Sequence, residues 1–212
     1  MGPYPGGPDW MPITPKTGSL FHAETHAVRK ARRAARKRGR NLRIMFADEA
    51  RFGRMNRPRP CWAAIGTRPE VAAQLIREYI YLYGAVAPKD GACVYLVMPT
   101  SNTACFQAFL DVLARKFARQ DILLVLDGAP NHRSGDLAVP DNITLLYLPP
   151  YSPELNPKEN LWDEIREKIF KNYALKSIDA VHHKLKQAIL YIERNAKLVQ
   201  SITSFPYIVN SL

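Results

Sequence analysis

"DILLVLD", residues 121–127, is the stretch of sequence that decides the fold. An uninterrupted apolar run of this length, followed by the turn-forming residues "GAPNH", is typical of a strand that is buried on both faces. Such a strand needs helices above and below the sheet that contains it. The run therefore predicts an α/β protein with a central sheet.

Four more strands are predicted on the two sides of this run. "LRIMFAD" (42–48) alternates as a strand does, and "NITLLYLP" (142–149) supplies the last strand. Between them, "EYIYLYGAVAP" (78–88) and "ACVYLVMP" (92–99) are joined by the turn "KDG" into an antiparallel hairpin. The proline-broken segment 57–76 is predicted to form short strands or a loop.

Three helices are predicted around the strands. Two lie near the end of the chain, from Pro157 to Lys171 and from Ser177 to about Gln200. The third covers residues 102–118, where apolar side chains recur at helical spacing, at Phe106, Phe109, Leu110, Leu113 and Phe117. The order of these elements predicts a five-stranded mixed sheet with helices on both faces.

The composition is that of one globular domain. The chain has 212 residues, of which 47% are hydrophobic and 23% charged. It contains neither a signal peptide nor an apolar run of the ~18 residues needed to span a bilayer, so we expect a cytoplasmic location. The three cysteines, Cys61, Cys93 and Cys105, indicate neither a disulfide framework nor a zinc ribbon.

The positive charge is concentrated near the N-terminus. The net charge is +11, and residues 1–43 hold ten Lys or Arg against two acids. Residues 1–20, rich in Pro and Gly, are expected to be largely disordered. Residues 26–43 predict a helix with charge on nearly every side, which either grips DNA phosphates or forms a solvated tail. The candidate DNA-binding residues are Arg29, Lys30, Arg32, Arg33, Arg36, Lys37, Arg38 and Arg40.

Two predicted strands carry an acid beside their apolar residues. With a period of two, Asp48 shares a face with Phe46, and Glu49 points the other way. Asp127 follows the buried run, at the strand end where α/β sheets usually expose functional groups. Taken alone, either Asp48 or Asp127 also fits the role of a turn or helix cap.

"LPPYSPELNPKENLW", residues 148–162, presents a third acid at the start of a predicted helix. Pro157 fits the first helical position, which makes Asn156 the N-cap and Glu159 its capping-box partner. Capping alone would not require the stiff proline-rich loop before the helix. Three rigidly held acids therefore favour a metal site, with Glu154 in the loop as an alternative third acid.

Other residues near the acids have two interpretations each. Asn131 and His132 follow Asp127 closely enough to contact a phosphate or orient a water, or they belong to the turn. Trp162 either belongs to the core or stacks on DNA. The buried face of its helix is predicted to consist of Leu161, Ile165 and Ile169, with Trp162 at the edge.

Carboxylates at these three positions suit hard divalent cations. Mg²⁺ prefers oxygen ligands and keeps several waters, so two or three carboxylates can hold one or two ions. Paired ions about 3.5–4 Å apart can activate a water and stabilise the leaving oxygen in phosphodiester cleavage. A basic arm beside such a site suits a polyanionic substrate.

Three blocks of the sequence resemble the signature blocks of DDE transposases, specifically the bacterial insertion-sequence branch of the mariner-like superfamily. They are "FADEARFG" (46–53), "LVLDGAPNHRS" (124–134) and "LPPYSPELNPKENLW" (148–162). The resemblance implies a ribonuclease-H-like fold, a five-stranded mixed sheet that agrees with the predicted strand order. It divides the chain into a disordered tail and basic arm (1–41), a catalytic domain (42–205) and a C-terminal tail (206–212).

The resemblance also implies an activity and a set of site residues. The activity is cleavage of DNA at transposon ends with two Mg²⁺ or Mn²⁺ ions, followed by strand transfer to target DNA. The spacing of 32 positions between the second and third acids is slightly shorter than is usual in this group. The implied catalytic and metal-binding residues are Asp48, Asp127 and Glu159, and the supporting candidates are Asn131, His132 and Asn156.

The resemblance carries expectations about partners as well. The group normally has N-terminal helix-turn-helix modules that recognise transposon ends, and we expect a separate or frameshift-fused polypeptide to supply one here. A homodimer is a further expected arrangement. Two alternatives stay open: a catalytically inactive DNA-binding transposase remnant, and a ribonuclease-H-like nuclease or resolvase, since a metal site alone does not select the substrate.

Overall fold

The computed structural model describes residues 17–56, 58–150 and 152–205, with side chains from residue 26 onward. The C-terminal tail at 206–212 and most of the segment expected to be disordered, residues 1–16, lie outside this part of the chain. Residues 17–20, which were expected to be disordered, begin a helix instead. No helix in the described ranges is long and apolar enough to cross a membrane.

The five predicted strands form one mixed sheet. The strands are β1 Asn41–Gly53, β2 Tyr79–Ala87, β3 Ala92–Met98, β4 Gln120–Leu126 and β5 Ile143–Tyr147. The sheet has the order β3-β2-β1-β4-β5, with β1 antiparallel to β2, β2 antiparallel to β3, and β4 parallel to both β1 and β5. The predicted mixed sheet is therefore confirmed.

The first strand is longer than the sequence pattern predicts. It continues five residues past Asp48, to Gly53, because β2 pairs with it as far as the partners Gly53 and Tyr79. Its pairing with β4 ends earlier, at Phe46 and Val125. The last residues of β1 therefore project beyond β4, and the edge of β1 that faces Asp127 is left without a neighbouring strand.

Helices cover both faces of the sheet, as predicted. One face packs against α2, through Phe106, Phe109 and Leu113, and the other packs against α3, α4 and α5. A π-helical segment, Arg166–Phe170, continues α3. The helices are α1 Thr17–Lys37, α2 Thr103–Lys116, α3 Lys158–Ile165, α4 Ile178–Glu193 and α5 Ala196–Thr203.

The prediction of a single helix from Ser177 to about Gln200 is wrong, because the helix is interrupted between α4 and α5. Asn195 adopts φ −121° and ψ 58°, outside the helical region. Its side-chain nitrogen donates to the carbonyl oxygen of Tyr191 at 2.6 Å. An Asn side chain that competes in this way for a backbone carbonyl favours a helix end over continuation.

The basic helix differs from its prediction in two respects. It ends at Lys37 rather than 43, because Gly39 takes the left-handed φ of +67° and residues from 41 onward join β1. It also has an uncharged side, since Val28 and Ala35 are buried and lie two helical turns apart. The helix is therefore docked on the domain and does not carry charge on nearly every side.

Two of the basic residues hold the end of α1 against the sheet. Arg38 donates to Oδ2 of the buried Asp121 through Nε (2.9 Å) and Nη2 (2.6 Å), and Arg40 approaches Oδ1 at 3.4 Å. A buried carboxylate needs such compensation. Among the candidate DNA-binding residues, Arg38 and Arg40 thus have a structural partner. Those on the exposed surface of α1 are Arg29, Lys30, Arg33, Arg36 and Lys37.

The segment between β1 and β2 is a loop. Within residues 54–56 and 58–78, the structure contains no regular strand or helix, and most side chains are exposed. Trp62 and Ile65 are fully exposed. Of the two predicted alternatives for this segment, the loop is therefore correct.

Candidate active site

The three predicted acids lie on three different elements and face one cleft. Asp48 is on β1, Asp127 directly follows the adjacent parallel strand β4, and Glu159 is in the first turn of α3. The cleft has a volume of about 400 Å³, and residues 148–150, 152 and 153 of the proline-rich loop form much of its rim. The parallel pairing of β1 with β4 ends at Phe46 and Val125, so Asp48 and Asp127, each two residues further along, lie at the same edge of this pairing.

Asp48 sits deepest in this cleft. Its Oδ2 accepts a hydrogen bond from Trp162 Nε1 at 2.7 Å. Burial raises the pKa of Asp48 to about 7, helped by the negative charges of Glu159, Glu49 and Asp127, while the bond from Trp162 opposes the rise. This carboxyl therefore keeps its proton to a higher pH than an exposed aspartate does.

Glu159 is held by the start of α3 rather than by a capping box. The helix starts at Lys158, with Pro157 rather than Asn156 as the residue directly before it, and the Oδ1 atom of Asn156 accepts from the Lys158 backbone N–H at 3.1 Å. Its Nδ2 donates to the carbonyl oxygen of Ala47 at 3.0 Å, which ties the helix start to β1 beside Asp48. In the described part of the chain Glu159 makes no side-chain hydrogen bond, and it lines the cleft.

The electrostatic setting of Glu159 resembles that of Asp48. Burial raises the pKa of Glu159; Arg166 opposes this, and Asp163 and Asp127 add to it. The alternative third acid, Glu154, is exposed in the 3-10 turn Pro153–Leu155 and does not line the cleft. The geometry favours Glu159 as the third acid.

Asp127 is kept ionised by a buried histidine. His132 Nδ1 lies 2.7 Å from Asp127 Oδ1, and the Ala129 backbone N–H donates to the same oxygen at 3.2 Å. The hydrogen bond from His132 is the main reason that the pKa of Asp127 is lowered. His132 itself is only 1% exposed and packs against Phe106, with ring centroids 4.4 Å apart.

A fourth acid, which sequence reasoning did not select, binds the other side of this histidine. His132 Nε2 lies 3.0 Å from Glu49 Oε2, so the imidazole bridges Glu49 and Asp127. Burial alone would lower the pKa of His132, but its bonds to Asp127 and Glu49 raise it to about 9. The bridge is therefore an imidazolium between two carboxylates.

The Glu49 carboxylate accepts hydrogen bonds from three side chains behind the cleft. Ser101 Oγ donates at 3.1 Å and Asn131 Nδ2 at 3.3 Å, in addition to His132. Burial raises the pKa of Glu49, but these bonds outweigh it, so the pKa lies below its ordinary value. The predicted supporting residues Asn131 and His132 are thus placed against Glu49. The sequence feature that could have indicated this role of Glu49 is its position directly after Asp48, with its side chain on the opposite face of β1.

Lys158 and Trp162 form the floor beneath Asp48. Both are fully or almost fully buried, at 0% and 1% exposure, so Trp162 is in the core rather than at its edge, and the alternative of stacking on DNA is wrong. Lys158 Nζ lies 3.9 Å from the centroid of the Tyr95 ring and 4.2 Å from that of Trp162. Burial lowers the pKa of Lys158 to about 7. A Cβ atom on Gly84 would lie 2.5 Å from Lys158 Cε, so only glycine leaves room for this lysine.

The side chains of the cleft offer carboxylate oxygens, the ligand type that a hard divalent cation prefers. Its candidate ligands are three carboxylates, and oxygen is what Mg²⁺ and Mn²⁺ prefer. Two of the three have raised pKa values because burial and neighbouring acids leave their negative charge uncompensated. As they stand, no three acidic, histidine or cysteine side chains of the described residues are close enough to hold one ion together.

The raised pKa of Asp48 predicts how the stability of the metal-free protein depends on pH. The folded pKa of about 7 exceeds the ordinary value of 3.8, so the fold binds this proton more tightly than the unfolded chain does. The contribution of this proton to the free energy of unfolding is full below about pH 4 and is lost as the pH rises through about 7. In EDTA we expect chemical denaturation to show a loss on the order of 3 kcal/mol over this range, and a flatter profile for Asp48→Asn. Identical profiles for the two proteins would contradict this assignment.

The fold and the acids define a ribonuclease-H-like enzyme domain. Residues 43–182 match the family described as DDE superfamily endonuclease, and the chain belongs to that family. A Sinorhizobium fredii protein described as uncharacterized protein y4pE/y4sA is 40% identical over 104 residues, which are 49% of this chain and 77% of that protein. The Tc3 transposase of Caenorhabditis elegans is 28% identical over 152 residues. This match covers 65% of the chain but only 45% of the Tc3 transposase.

Solved structures of the Mos1 mariner transposase share the fold. Its paired-end complex with Mn superposes with a TM-score of 0.58 at 17% identity, covering all of this chain and 68% of the Mos1 chain. The isolated Mos1 catalytic domain gives a TM-score of 0.52 at 14% identity, with 92% and 94% covered. The ribonuclease-H-like fold is thereby confirmed. Together with the family, it makes this chain an endonuclease domain of the DDE superfamily.

Proposed function

We propose that the chain is the catalytic domain that cuts DNA at transposon ends and joins the freed 3′ ends to target DNA. The proposal depends above all on one observation: Asp48, Asp127 and Glu159, from three separate elements, line one cleft. Two of these acids have raised pKa values, which is the electrostatic state that a bound cation relieves. The Mos1 structures include paired-end complexes with Mn and with Mg and a strand transfer complex, which supports the same chemistry here.

The three acids would hold Mg²⁺ or Mn²⁺, with two ions as the expected number. When bound, such a pair supplies an activated nucleophile and stabilises the leaving oxygen. The protein contributes orientation: Trp162 fixes Asp48, His132 fixes Asp127, and Asn156 fixes the helix turn that carries Glu159.

A cationic side chain at the rim offers a contact for the substrate phosphate. Arg133 is exposed, lines the cleft, and stacks over the Tyr147 ring at 4.7 Å. A Cβ atom on Gly128 would lie 2.6 Å from Arg133 Nη2, so Gly128 permits this arginine to lie along the chain after β4. We therefore propose that the Arg133 guanidinium contacts the scissile phosphate.

A nicking assay on supercoiled DNA with Mg²⁺, Mn²⁺ or EDTA tests the proposal. We expect nicked and linear products with either ion and none in EDTA, together with joining of labelled 3′ ends to a second DNA. Binding of DNA without cleavage under all conditions would favour the inactive remnant. Cleavage of RNA–DNA hybrids or branched DNA in preference to duplex would favour a ribonuclease or resolvase.

The exposed basic residues of α1 should contribute to DNA binding through phosphates. Substituting Arg29, Lys30, Arg33 and Arg36 with Gln leaves Arg38 and Arg40 to neutralise Asp121, so the fold should be kept. Each lost phosphate contact reduces the magnitude of the slope of log K against log salt by about 0.9. For the four substitutions we expect this magnitude to fall by up to about 3.6. Equilibrium binding at several salt concentrations measures the slope, and an unchanged slope would mean that α1 is only a solvated surface.

Recognition of transposon ends is expected to come from another module. The exposed face of α1 offers Arg and Lys, which contact phosphates, and these side chains alone do not distinguish terminal repeats from other DNA. We expect the 212-residue chain to prefer its terminal repeats over scrambled DNA by no more than about tenfold. A helix-turn-helix from a separate or fused polypeptide, in a homodimeric assembly, would supply the rest. Competition binding at about 150 mM salt decides this, and discrimination of about a thousandfold would contradict it.

A further inference from the structure

A second cleft, rich in cations, lies at the projecting end of β1. We call it the β1-end groove; it lies between the last residues of β1, the first residue of β2 and the π-helical segment after α3. Among the side chains that line it are Arg51, Arg59, Tyr79, Arg166 and Lys171. None of the acids that line the first cleft belongs to it.

The charge of this groove is not balanced locally. The described residues that line it include four cations and no carboxylate. Two acids outside the lining compensate part of the charge: Glu167 pairs with Arg59 and with Lys171, the latter at 3.2 Å, and Asp163 approaches Arg166 at 3.7 Å. An excess of positive charge in a concave surface attracts a polyanion.

Arg51 is the most available of these cations. It is exposed, and no acid pairs with it among the residues that the structure describes. Its guanidinium carbon lies 4.3 Å from the centroid of the Tyr79 ring. A guanidinium placed over an aromatic ring can still donate to phosphate oxygens, and the aromatic ring can support a base or sugar.

α3 and the π-helical segment that continues it run from the acidic cleft to the β1-end groove. Glu159, Asp163 and Arg166 are spaced i, i+4 and i+7, so they form one stripe on this helix. The helical rise places Arg166 about 10 Å from Glu159 along the axis.

We propose that the β1-end groove binds the backbone of the DNA strand that is cut, through phosphates about one or two nucleotides from the scissile one. Arg166 lies about 10 Å from Glu159 along α3, and successive phosphates of one strand are separated in space by roughly twice the axial rise of about 3.4 Å. Arg51 and Arg166 hold the phosphates, and Tyr79 supports the adjacent sugar or base. The inference rests on the proposed function, because it assumes that the acidic cleft holds the scissile phosphate.

Binding measurements in EDTA test the groove without requiring catalysis. The variant Arg51→Ala/Arg166→Ala should bind a DNA duplex more weakly, with a salt slope lowered by about 1.8, or about 0.9 per contact. The matched control is Arg115→Ala, which removes an exposed arginine in the last turn of α2, near the start of β4 and away from both clefts. Arg51→Lys/Arg166→Lys should recover the slope, because it restores both charges.

An equal slope for wild type and the double Ala variant would overturn the inference, whether or not the protein cuts DNA. Failure to nick with an altered slope would instead overturn the proposed function and leave the groove as a DNA-binding site. A second measurement locates the contact by replacing single phosphates with uncharged methylphosphonates. Wild type should lose affinity most at about one or two nucleotides from the cut, and the double Ala variant should lose nothing further there. Equal losses for both proteins at that position would also overturn the inference.

Discussion

Asp48→Asn, Asp127→Asn and Glu159→Gln should each abolish metal-dependent DNA cleavage, with rates lowered by about a thousandfold or more. The three carboxylates line one cleft, and each substitution removes one anionic ligand from a set that has only three. Loss of the several kcal/mol that a correctly held ion contributes corresponds to this factor. Single-turnover cleavage of labelled DNA in Mg²⁺ and in Mn²⁺ measures it.

Asp48→Asn and Glu159→Gln should not lower the stability of the metal-free protein, whereas Asp127→Asn should lower it, because it removes the carboxylate that pairs with the buried His132. Asparagine at 48 can still accept the hydrogen bond from Trp162 while removing a charge that burial and neighbouring acids disfavour. The matched control is Glu154→Gln, an exposed acid outside the cleft, which should cut DNA at the wild-type rate. If Glu159→Gln cut DNA normally and lost only stability, Glu159 would be a helix-capping residue and not a ligand.

His132→Ala should lower the cleavage rate about 10- to 100-fold and raise the metal concentration needed for half-maximal rate. The range is that of substitutions in residues that orient metal ligands. His132 does not line the cleft; it holds Asp127 through Nδ1 and is itself held by Glu49 through Nε2. It is therefore a positioning residue, and its loss leaves the Asp127 carboxylate free to rotate away from the site.

Two further variants separate positioning from general stability. His132→Asn keeps a donor close to the position of Nδ1 and should recover part of the metal response, although the bond to Glu49 is lost. Glu49→Gln removes the charge on the far side of the imidazole and should raise the half-saturating metal concentration by a smaller factor. A fall in melting temperature with an unchanged metal response in all three variants would mean that the bridge only stabilises the fold.

Much of the fold was predictable because it depends on local patterns. The uninterrupted run 121–127 and the alternation in 42–48 identify a buried strand and a half-buried strand without knowledge of their neighbours. Boundaries were less predictable. β1 extends to Gly53 because β2 continues to pair with it there, and the last helix divides at Asn195 because that side chain takes the carbonyl of Tyr191.

The acids of the candidate site were predictable for the same reason. The period of two sets the face of Asp48, the end of a buried run marks Asp127, and the proline-rich block with its helix start marks Glu159. Each of these signals lies within about fifteen residues of sequence. The sequence by itself therefore determined which three carboxylates to consider and which chemistry suits them.

Only the tertiary structure decided what surrounds those acids. Glu49 and His132 are 83 residues apart in sequence, and they meet because the turn after β4 folds over the face of β1 that carries Glu49. Lys158 is polar by type yet completely buried, because the absence of a side chain at Gly84 opens space for it between two aromatic rings. A local pattern records the face on which a side chain lies, whereas its partner and its burial depend on contacts between distant segments, which form only when the sheet and its helices pack together.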